Sequence, residues 1–224
     1  MALTKITGEG VGSLDSLTAG SIAVAGASGA QITVTDNSPG TVSLFMGAGN
    51  SSVSVGSTTS DPVTFLTNNT ERMRIDANGH VTMPSQSAFA AKITTQQSNI
   101  ALSSQVTVLF ATELYDQNSD YNTSTYTFTA PVTGKYQLNV LMLVVNIDTV
   151  PGYYQTQLTT SNRTYYNTHD PRGYSQDLSY HNLNTSILAD MDAGDTAIVK
   201  IYQAGGTQQT DLDAESYFTG HLVC

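Results

Sequence analysis

The stretch Tyr126-Thr127-Phe128-Thr129-Ala130-Pro131-Val132-Thr133-Gly134-Lys135-Tyr136 decides how the second half of the chain folds. Its first residues alternate between aromatic rings and threonines, which is the period-2 pattern of a half-buried β-strand. Pro131 and Gly134 then favour a turn before the next strand. Phe128 and Tyr136 share the parity that would bury both side chains in one sheet. The stretch therefore predicts two strands joined by a tight corner.

Further strand patterns recur at short spacing on both sides of this corner. About eight strands suit a double-sheet sandwich or jelly roll. No segment keeps a helical spacing of apolar residues with caps, so we predict almost no helix. The predicted strands cover 88–93, 106–110, 125–130, 135–147, 153–160, 174–188, 196–203 and 216–223.

The predicted strand 135–147 begins with alternation and then becomes apolar throughout. A strand that is apolar on both faces needs a partner on both faces. We expect one face to meet the opposite sheet and the other to meet a second subunit.

The first 84 residues differ from the rest, because they are rich in Gly, Ser and Thr and contain no tyrosine. Short alternating segments at 21–25, 31–35 and 53–55 predict strands, but their small side chains bury too little area to offset about 1–2 kcal/mol of backbone entropy per residue. Such a segment is either disordered or intertwined with identical chains, and the repeated alternation favours an intertwined β-rich shaft. We place the boundary between shaft (1–84) and head (85–224) near Pro84.

A short hairpin is predicted before this boundary. Met73, Ile75, Val81 and Met83 occupy alternate positions around the turn 76–79. The Asn-Gly pair in that turn tolerates positive φ, which tight hairpin turns require.

Composition excludes several classes of function. The chain has 224 residues, 12% charged residues and a net charge of −10, which argues against binding to nucleic acid. No apolar run is long enough to cross a bilayer, so no membrane insertion is expected. The start at Met1 lacks the apolar run of a signal peptide, and the single Cys224 allows no disulfide within the chain.

Known catalytic motifs are also missing from the sequence. There is no nucleophile elbow or phosphate loop, and the four histidines lack metal-ligand spacing. We therefore predict that the protein is not an enzyme. A depolymerase that cleaves surface glycan is the less favoured alternative, since it would need two carboxylates paired in a cleft.

Two acidic clusters place carboxylates at alternate positions, one at 190–195 and one at 211–215. Calcium prefers several oxygen ligands, so such clusters are candidates for a Ca²⁺ site. A solvated acidic loop is the alternative. The predicted calcium ligands are Asp211, Asp213 and Glu215, and no other cofactor is predicted.

The tyrosines form a further candidate site, because all twelve lie between Tyr115 and Tyr217. Neighbours in a strand face opposite ways, so one member of each adjacent pair should point outward. Exposed rings beside Asn, Asp and Arg are typical of a recognition surface, whereas tyrosines covering the edge of the core are the alternative. The predicted receptor contacts are Tyr154, Arg163, Tyr165, Tyr166, His169, Arg172 and Tyr174.

A family resemblance covers residues 85–224. Its motifs are Phe89-Ala90-Ala91, Val108-Leu109-Phe110, the corner 126–136, Ala193-Gly194-Asp195, Val199-Lys200-Ile201-Tyr202 and Ser216-Tyr217-Phe218-Thr219-Gly220-His221-Leu222-Val223. Their order resembles the globular head of complement C1q and its tumour-necrosis-factor-like relatives. The resemblance implies an all-β jelly roll that forms a tight homotrimer, and some relatives bind Ca²⁺ near the apex. The implied trimer interface comprises Tyr136, Leu138, Val140, Met142, Phe218 and Leu222, with Gly220 at a close approach near the axis.

Two shorter resemblances point to a phage. Residues 71–81 resemble an element of bacteriophage tail fibres, and residues 1–11 resemble the start of fibre-like proteins of marine phages. We predict a viral structural protein, made in the bacterial host cytoplasm and placed on the tail or capsid surface of the virion. As a trimeric fibre or spike, it would dock on other virion proteins through its N-terminal segment and attach to a host surface receptor or glycan through its head. The alternative is a capsid decoration or cement protein.

Overall fold

The computed structural model describes residues 30–36, 42–48, 53–57 and 59–224. The chain divides into two units, Met1–Thr82 and Met83–Cys224, close to the boundary expected from the sequence. The predicted strand 21–25 and the stretch 1–11, which carries the second phage resemblance, lie outside the described residues.

The described strands of the first unit form two antiparallel three-stranded sheets. One has the order β1-β2-β3 and the other the order β4-β5-β6. The predicted strands 31–35 and 53–55 correspond to β1 and β3. The bounds are β1 (Ala30–Asp36), β2 (Val42–Ala48), β3 (Val53–Ser57), β4 (Val63–Thr67), β5 (Thr70–Ile75) and β6 (Val81–Thr82).

Turn chemistry explains the second of these sheets. The Asp76 carboxylate accepts hydrogen bonds from the backbone N–H groups of Asn78 at 2.8 Å and His80 at 2.9 Å, and Gly79 has a φ of +88°. This turn joins β5 to β6 and confirms the predicted hairpin. A second turn, between β4 and β5, places Asn68 and Asn69 at positive φ, as a two-residue hairpin loop requires.

The residues of the first unit whose burial the structure describes form no closed core. None of its residues whose burial the structure describes is fully buried. Large apolar side chains are instead well exposed, namely Val53, Val55, Phe65, Leu66 and Val81. A partner that covers these side chains would stabilise this unit.

The second unit consists of fourteen strands and one short 3-10 turn, Pro171–Gly173. No α-helix occurs among the residues that the structure describes. The strands are β7 (Ala88–Lys92), β8 (Gln105–Thr107), β9 (Thr112–Asp116), β10 (Tyr121–Asn122), β11 (Thr127–Thr129), β12 (Gly134–Leu141), β13 (Leu143–Ile147), β14 (Tyr154–Thr160), β15 (Thr164–His169), β16 (Leu178–Asn182), β17 (Thr185–Met191), β18 (Thr196–Gln203), β19 (Asp211–Leu212) and β20 (Tyr217–Leu222).

These strands form a jelly-roll sandwich, as predicted. One main sheet has the order β10-β11-β18-β14-β15, with β8 also paired to β18. The other has the order β17-β12-β20-β7-β9, and a small sheet β16-β13-β19 completes the unit. All pairs are antiparallel, and the inward-facing side chains form one hydrophobic core.

The corner 126–136 carries the chain from one sheet to the other. Phe128 on β11 and Tyr136 on β12 are fully buried, with ring centroids 5.4 Å apart. They lie in opposite sheets, so their expected placement in one sheet is wrong. The Tyr136 hydroxyl donates a hydrogen bond to the carbonyl of Val132 at 2.7 Å, which ties the turn to the strand that follows it.

The apolar run after Val140 also lies where the chain passes from one sheet to another. β12 ends at Leu141, and β13 begins at Leu143 in a different sheet. Met142, between them, is fully buried in the core of this chain. The change of sheet explains the buried part of the run, but Leu141 stays 43% exposed, so the expected contact of this side with a second subunit stays a prediction.

Gly220 lies on β20 at a close approach within this core. A Cβ atom there would lie 2.6 Å from Phe89 Cε1 and 2.7 Å from Leu138 Cδ2. The atoms that approach Gly220 belong to the same chain, and its position near a trimer axis stays a prediction. The glycine gives Phe89 room to occupy the centre of the core.

We expect Gly220→Ala to lower the free energy of unfolding by about 1–3 kcal/mol, because the added methyl overpacks the core. Chemical denaturation monitored by tyrosine fluorescence would measure the change. Gly173→Ala is the matched control, since nothing lies within 4 Å of a Cβ atom there. Equal stability of the two variants would contradict this account of the core.

Candidate functional site

The residues predicted to form the trimer interface lie mostly inside the sandwich. Tyr136, Leu138, Met142 and Phe218 are fully buried within one chain, and Val140 is 2% exposed. They cannot contact a neighbouring subunit through their side chains, so this part of the prediction is wrong. Leu222, the sixth, is half-buried and packs against the same core.

The opposite side of the same strands is the accessible one. We call the outward side of the sheet β17-β12-β20-β7-β9 the apolar sheet face. It carries four well-exposed large side chains, with exposed fractions of 43% for Leu141, 55% for Leu188, 53% for Leu114 and 54% for Tyr115. Leu141 and Leu188 alternate with buried residues on β12 and β17, whereas Leu114 and Tyr115 are neighbours on β9, where the pairing with β7 shifts register.

A groove of about 320 Å³ crosses the apolar sheet face between β12, β17 and β20. Part of its polar lining is bonded internally, whereas Thr185 Oγ1 is buried without a partner among the described residues. Ser186 Oγ donates to Asn139 Oδ1 at 2.8 Å, and Gln137 Nε2 donates to the same Asn139 atom at 3.0 Å. Because these groups bond to one another, covering the groove leaves few of them without a partner.

A small charged cluster borders this face. Lys92 Nζ lies 3.5 Å from Glu215 Oε1, and the Tyr217 hydroxyl donates to the other carboxylate oxygen of Glu215. The Tyr217 bond, with the charge of Lys92 as a second cause, lowers the pKa of Glu215 below its usual range. Glu215 is therefore an anion held by its neighbours.

The predicted calcium ligands are not brought together. Asp211 is buried and accepts hydrogen bonds from Asn99 N at 2.7 Å, Gln96 Nε2 at 2.8 Å and Asn146 Nδ2 at 2.9 Å. Asp213 instead accepts from the backbone N–H of Glu215. No group of three possible metal ligands occurs among the described residues of this chain. A calcium site formed by three copies near the trimer apex stays a prediction. Asp211 and Asp213 accept hydrogen bonds from different groups of the chain.

The other acidic cluster is likewise engaged in local contacts. Asp190 forms an ion pair with Arg163 at 3.3 Å. Asp195 accepts from Asn162 Nδ2 at 3.0 Å and from the backbone N–H of Asp192 at 2.9 Å. These bonds hold the turn between β17 and β18.

The prediction that Tyr154 is a receptor contact is wrong, because its ring is fully buried. Its hydroxyl lies 2.9 Å from Thr210 Oγ1 and donates to the carbonyl of Asp148 at 3.1 Å. Burial raises the pKa of Tyr154 to about 12. The outward member of that pair is Tyr153, whose ring stacks on Tyr202 with centroids 5.8 Å apart.

The other predicted receptor contacts lie in different parts of the second unit. Arg172 pairs with Asp170 at 2.8 Å, whereas Arg163 is held by Asp190 at the other end of β15. Tyr165 packs against the core, but Tyr166 is 59% exposed on the outward side of β15. They do not form a single surface.

Two of them, His169 and Tyr174, do come together, and they meet a histidine that the sequence did not indicate. The His169 and His181 ring centroids are 4.2 Å apart, and the Tyr174 centroid lies 5.9 Å from that of His169. Burial, and secondly the proximity of His181, lower the pKa of His169. His169 Nε2 is buried without a hydrogen-bond partner among the described residues.

Comparison with known proteins identifies the family of this sandwich. Residues 88–223 match the model of the C1q domain. The chain belongs to the C1q domain family. Domains of this kind are typically non-enzymatic binding or structural modules. No curated protein matches the sequence.

Solved structures with a similar fold include vertebrate proteins of low identity. The globular domain of zebrafish complement 1qA protein is 18% identical, with 62% of this chain and 98% of that chain covered at a TM-score of 0.47. Two crystal structures of murine APRIL are 13% identical, with 62% of this chain and 100% of those chains covered at TM-scores of 0.45 and 0.46. Within the described residues, no helix is long and apolar enough to cross a membrane.

The histidine cluster makes the stability of the C1q domain depend on pH. The pKa of His169 is lower in the folded state than the ordinary value, so the unfolded state takes up its proton first as pH falls. The contribution of His169 to stability is thus complete above its unfolded pKa of about 6.5 and is lost below it. Asp170 opposes this shift only as the smallest of the three causes.

We therefore expect the melting temperature of the wild type to fall between pH 7.5 and pH 5.5 by more than that of His169→Gln. Thermal unfolding followed by circular dichroism at both pH values would measure the two differences. His80→Gln in the first unit is the control and should keep the wild-type difference. An unchanged pH difference in His169→Gln would contradict the assignment.

Proposed function

We propose that the chain is the subunit of a homotrimeric viral structural protein, a phage fibre or spike, whose C1q domain attaches the particle to the host surface. The observation that carries the proposal is the apolar sheet face, where Leu114, Tyr115, Leu141 and Leu188 are all well exposed. Strand pairing places Gln137 beside Leu188 and Tyr217 beside Leu141, so the apolar side chains are interspersed with polar ones. Burial of such exposed apolar side chains against a partner is favourable.

A second copy of the same chain is the occupant that fits this face best. The face combines apolar side chains with a groove in which part of the polar lining is bonded internally. Such a surface loses little hydrogen bonding when it is covered, as the central part of a stable interface requires. C1q-family domains commonly form homotrimers and bind receptors, which supports a three-fold arrangement.

The first unit supports the same assembly independently. Its described strands expose Val53, Val55, Phe65 and Leu66 and have no closed core of their own. Intertwining of three identical chains would bury these side chains and form the expected shaft. The resemblance of residues 71–81 to phage tail fibres supports a place on the virion, with docking to other virion proteins through the N-terminal segment.

Three heads on each trimer, repeated over a particle, would make attachment strong even if each contact is weak, because linked sites act at a high effective concentration. Phage particles that carry this protein without residues 85–224 are expected to adsorb to host cells at least about tenfold more slowly. Adsorption kinetics would measure this, with particles that carry Gly173→Ala as the control. Normal adsorption combined with fragile capsids would contradict attachment and favour the cement role.

A further inference from the structure

The outward side of the six-stranded sheet lies across the sandwich from the apolar sheet face. We call it the polar sheet face. Strand pairing arranges its side chains in rows, and one row runs from Tyr166 through Gln157 and Lys200 to Thr107. The next rows contain Thr168, Gln155, Tyr202 and Gln105, and Thr164, Thr159, Ile198, Thr127 and Asn122.

The charge of the polar sheet face is unlike that of the chain. The whole chain carries a net charge of −10. The rows nevertheless contain no carboxylate, and Lys200 is their only charged member. Its ammonium donates to Gln105 Oε1 at 3.4 Å. The face therefore offers neutral hydrogen-bonding groups to a ligand that is itself neutral.

The amides of this face are held in place before any ligand arrives. Gln157 Nε2 donates to Gln155 Oε1 at 3.3 Å, and Gln155 Nε2 donates to Thr168 Oγ1 at 3.1 Å. Gln157 is only 3% exposed, and its Oε1 accepts no hydrogen bond from the described residues. A buried acceptor without a donor is costly, so a ligand hydroxyl that donates to it would be favoured.

Aromatic rings flank these amides. Tyr166 is 59% exposed, and Tyr202 stacks on Tyr153 at an interplanar angle of 24°. Tyr166 and Tyr202 lie on strands separated by β14, a span of about 10 Å. That spacing suits two sugar rings of one extended chain. Tyrosine rings pack on the apolar faces of sugars, while amides bond to their hydroxyls.

We propose that the polar sheet face binds a neutral polysaccharide, with Tyr166 and Tyr202 stacking on sugar rings and Gln155 and Gln157 bonding to hydroxyls. The inference rests on the proposed attachment function and names its ligand class and its site. Assembly through the apolar sheet face leaves the polar sheet face free on every subunit. A strongly anionic polymer is disfavoured, because the net charge of the chain repels it.

Affinity electrophoresis of the full-length protein tests the proposal. The gels would contain dextran, mannan or laminarin as neutral probes, or alginate as the anionic probe. We expect retardation by at least one neutral polymer and none by alginate. Tyr166→Ala and Tyr202→Ala should each weaken the retardation about tenfold, the loss of roughly one well-packed aromatic contact.

Tyr180→Ala is the matched control, because that ring is 70% exposed but lies on the small sheet. It should keep wild-type retardation, and all variants should keep the wild-type melting temperature and mass. No retardation by any neutral polymer, stronger retardation by alginate, or an equal loss in Tyr180→Ala would overturn the proposal.

Competition with adsorption separates this proposal from the attachment function. Purified wild-type protein should block adsorption of particles to host cells, and Tyr166→Ala combined with Tyr202→Ala should not. If both proteins block adsorption equally, attachment stands and the polysaccharide site is wrong. If the wild type does not block adsorption, the attachment function itself is wrong.

Discussion

Phe89→Ala is expected to lower the free energy of unfolding of the C1q domain by about 3–5 kcal/mol. Phe89 lies at the centre of the core, where its ring stacks on Phe128 at 4.7 Å and on Tyr121 at 5.0 Å and meets the edge of Phe218 at 5.0 Å. Removing it leaves a cavity between the two main sheets. Because Gly220 lies against Phe89, β20 would lose support as well.

Denaturation at matched protein concentration would measure this loss, since the stability of an assembled protein depends on concentration. Tyr180→Ala removes an exposed ring of similar size and should change stability by less than about 0.5 kcal/mol. A loss below about 1 kcal/mol in Phe89→Ala would mean that the sandwich is not packed around this ring.

Leu141→Arg combined with Leu188→Arg is expected to separate the C1q domains. Both side chains lie on the apolar sheet face, where assembly would bury them against neighbouring copies. An unpaired charge buried in an interface costs several kcal/mol, and three copies would bury six such charges. Residues 83–224 have their own closed core, so the effect can be measured on this unit alone. Light scattering should show a trimer for the wild type and a monomer for the double variant.

Thr168→Arg combined with Thr164→Arg is the matched control, since it adds the same two charges to the polar sheet face and should leave the trimer intact. Circular dichroism should show that all variants remain folded. A double variant that stays trimeric would exclude the apolar sheet face as the interface. A trimer lost equally in the control with Thr168→Arg and Thr164→Arg would mean that added charge alone separates the subunits.

Alternation in the sequence predicted a sandwich of about eight strands, whereas the C1q domain has fourteen, and Thr112–Asp116 and Thr164–His169 were not among those predicted. It did not predict the exposed surfaces. The corner 126–136 predicted two strands and a turn because proline, glycine and period-2 burial are local properties. The pattern did not show that Phe128 and Tyr136 face each other from opposite sheets. A buried row of side chains has the same pattern whether its partner is another sheet or another subunit. The predicted interface consequently fell on the core side of β12 and β20.

The exposed tyrosines and glutamines also could not be placed from local sequence patterns. An adjacent pair such as Tyr153 and Tyr154 shows that one ring points outward, but the register of β14 decides which. Gln155 and Gln157 looked like ordinary polar strand residues until pairing placed them between Tyr166 and Tyr202. No local pattern could have revealed these neighbours, because they come from different strands.

The spacing of the acidic clusters did not predict how their carboxylates are arranged within one chain. Alternate spacing places carboxylates on one side of a strand only where the strand continues, and β19 covers only Asp211–Leu212. Asp211 turns into the core, where three donors replace the water it loses. The sequence did not indicate His181, because His181 and His169 lie on strands of two different sheets.

The molar mass of the purified full-length chain, measured by size-exclusion chromatography with light scattering, tests the central claim most directly. The described side chains of the first unit form no closed core, and the C1q domain exposes an apolar sheet face. We therefore expect three times the chain mass of 23.8 kDa at micromolar concentration. A stable, folded species of 23.8 kDa would contradict the trimeric spike, however well the fold itself is described.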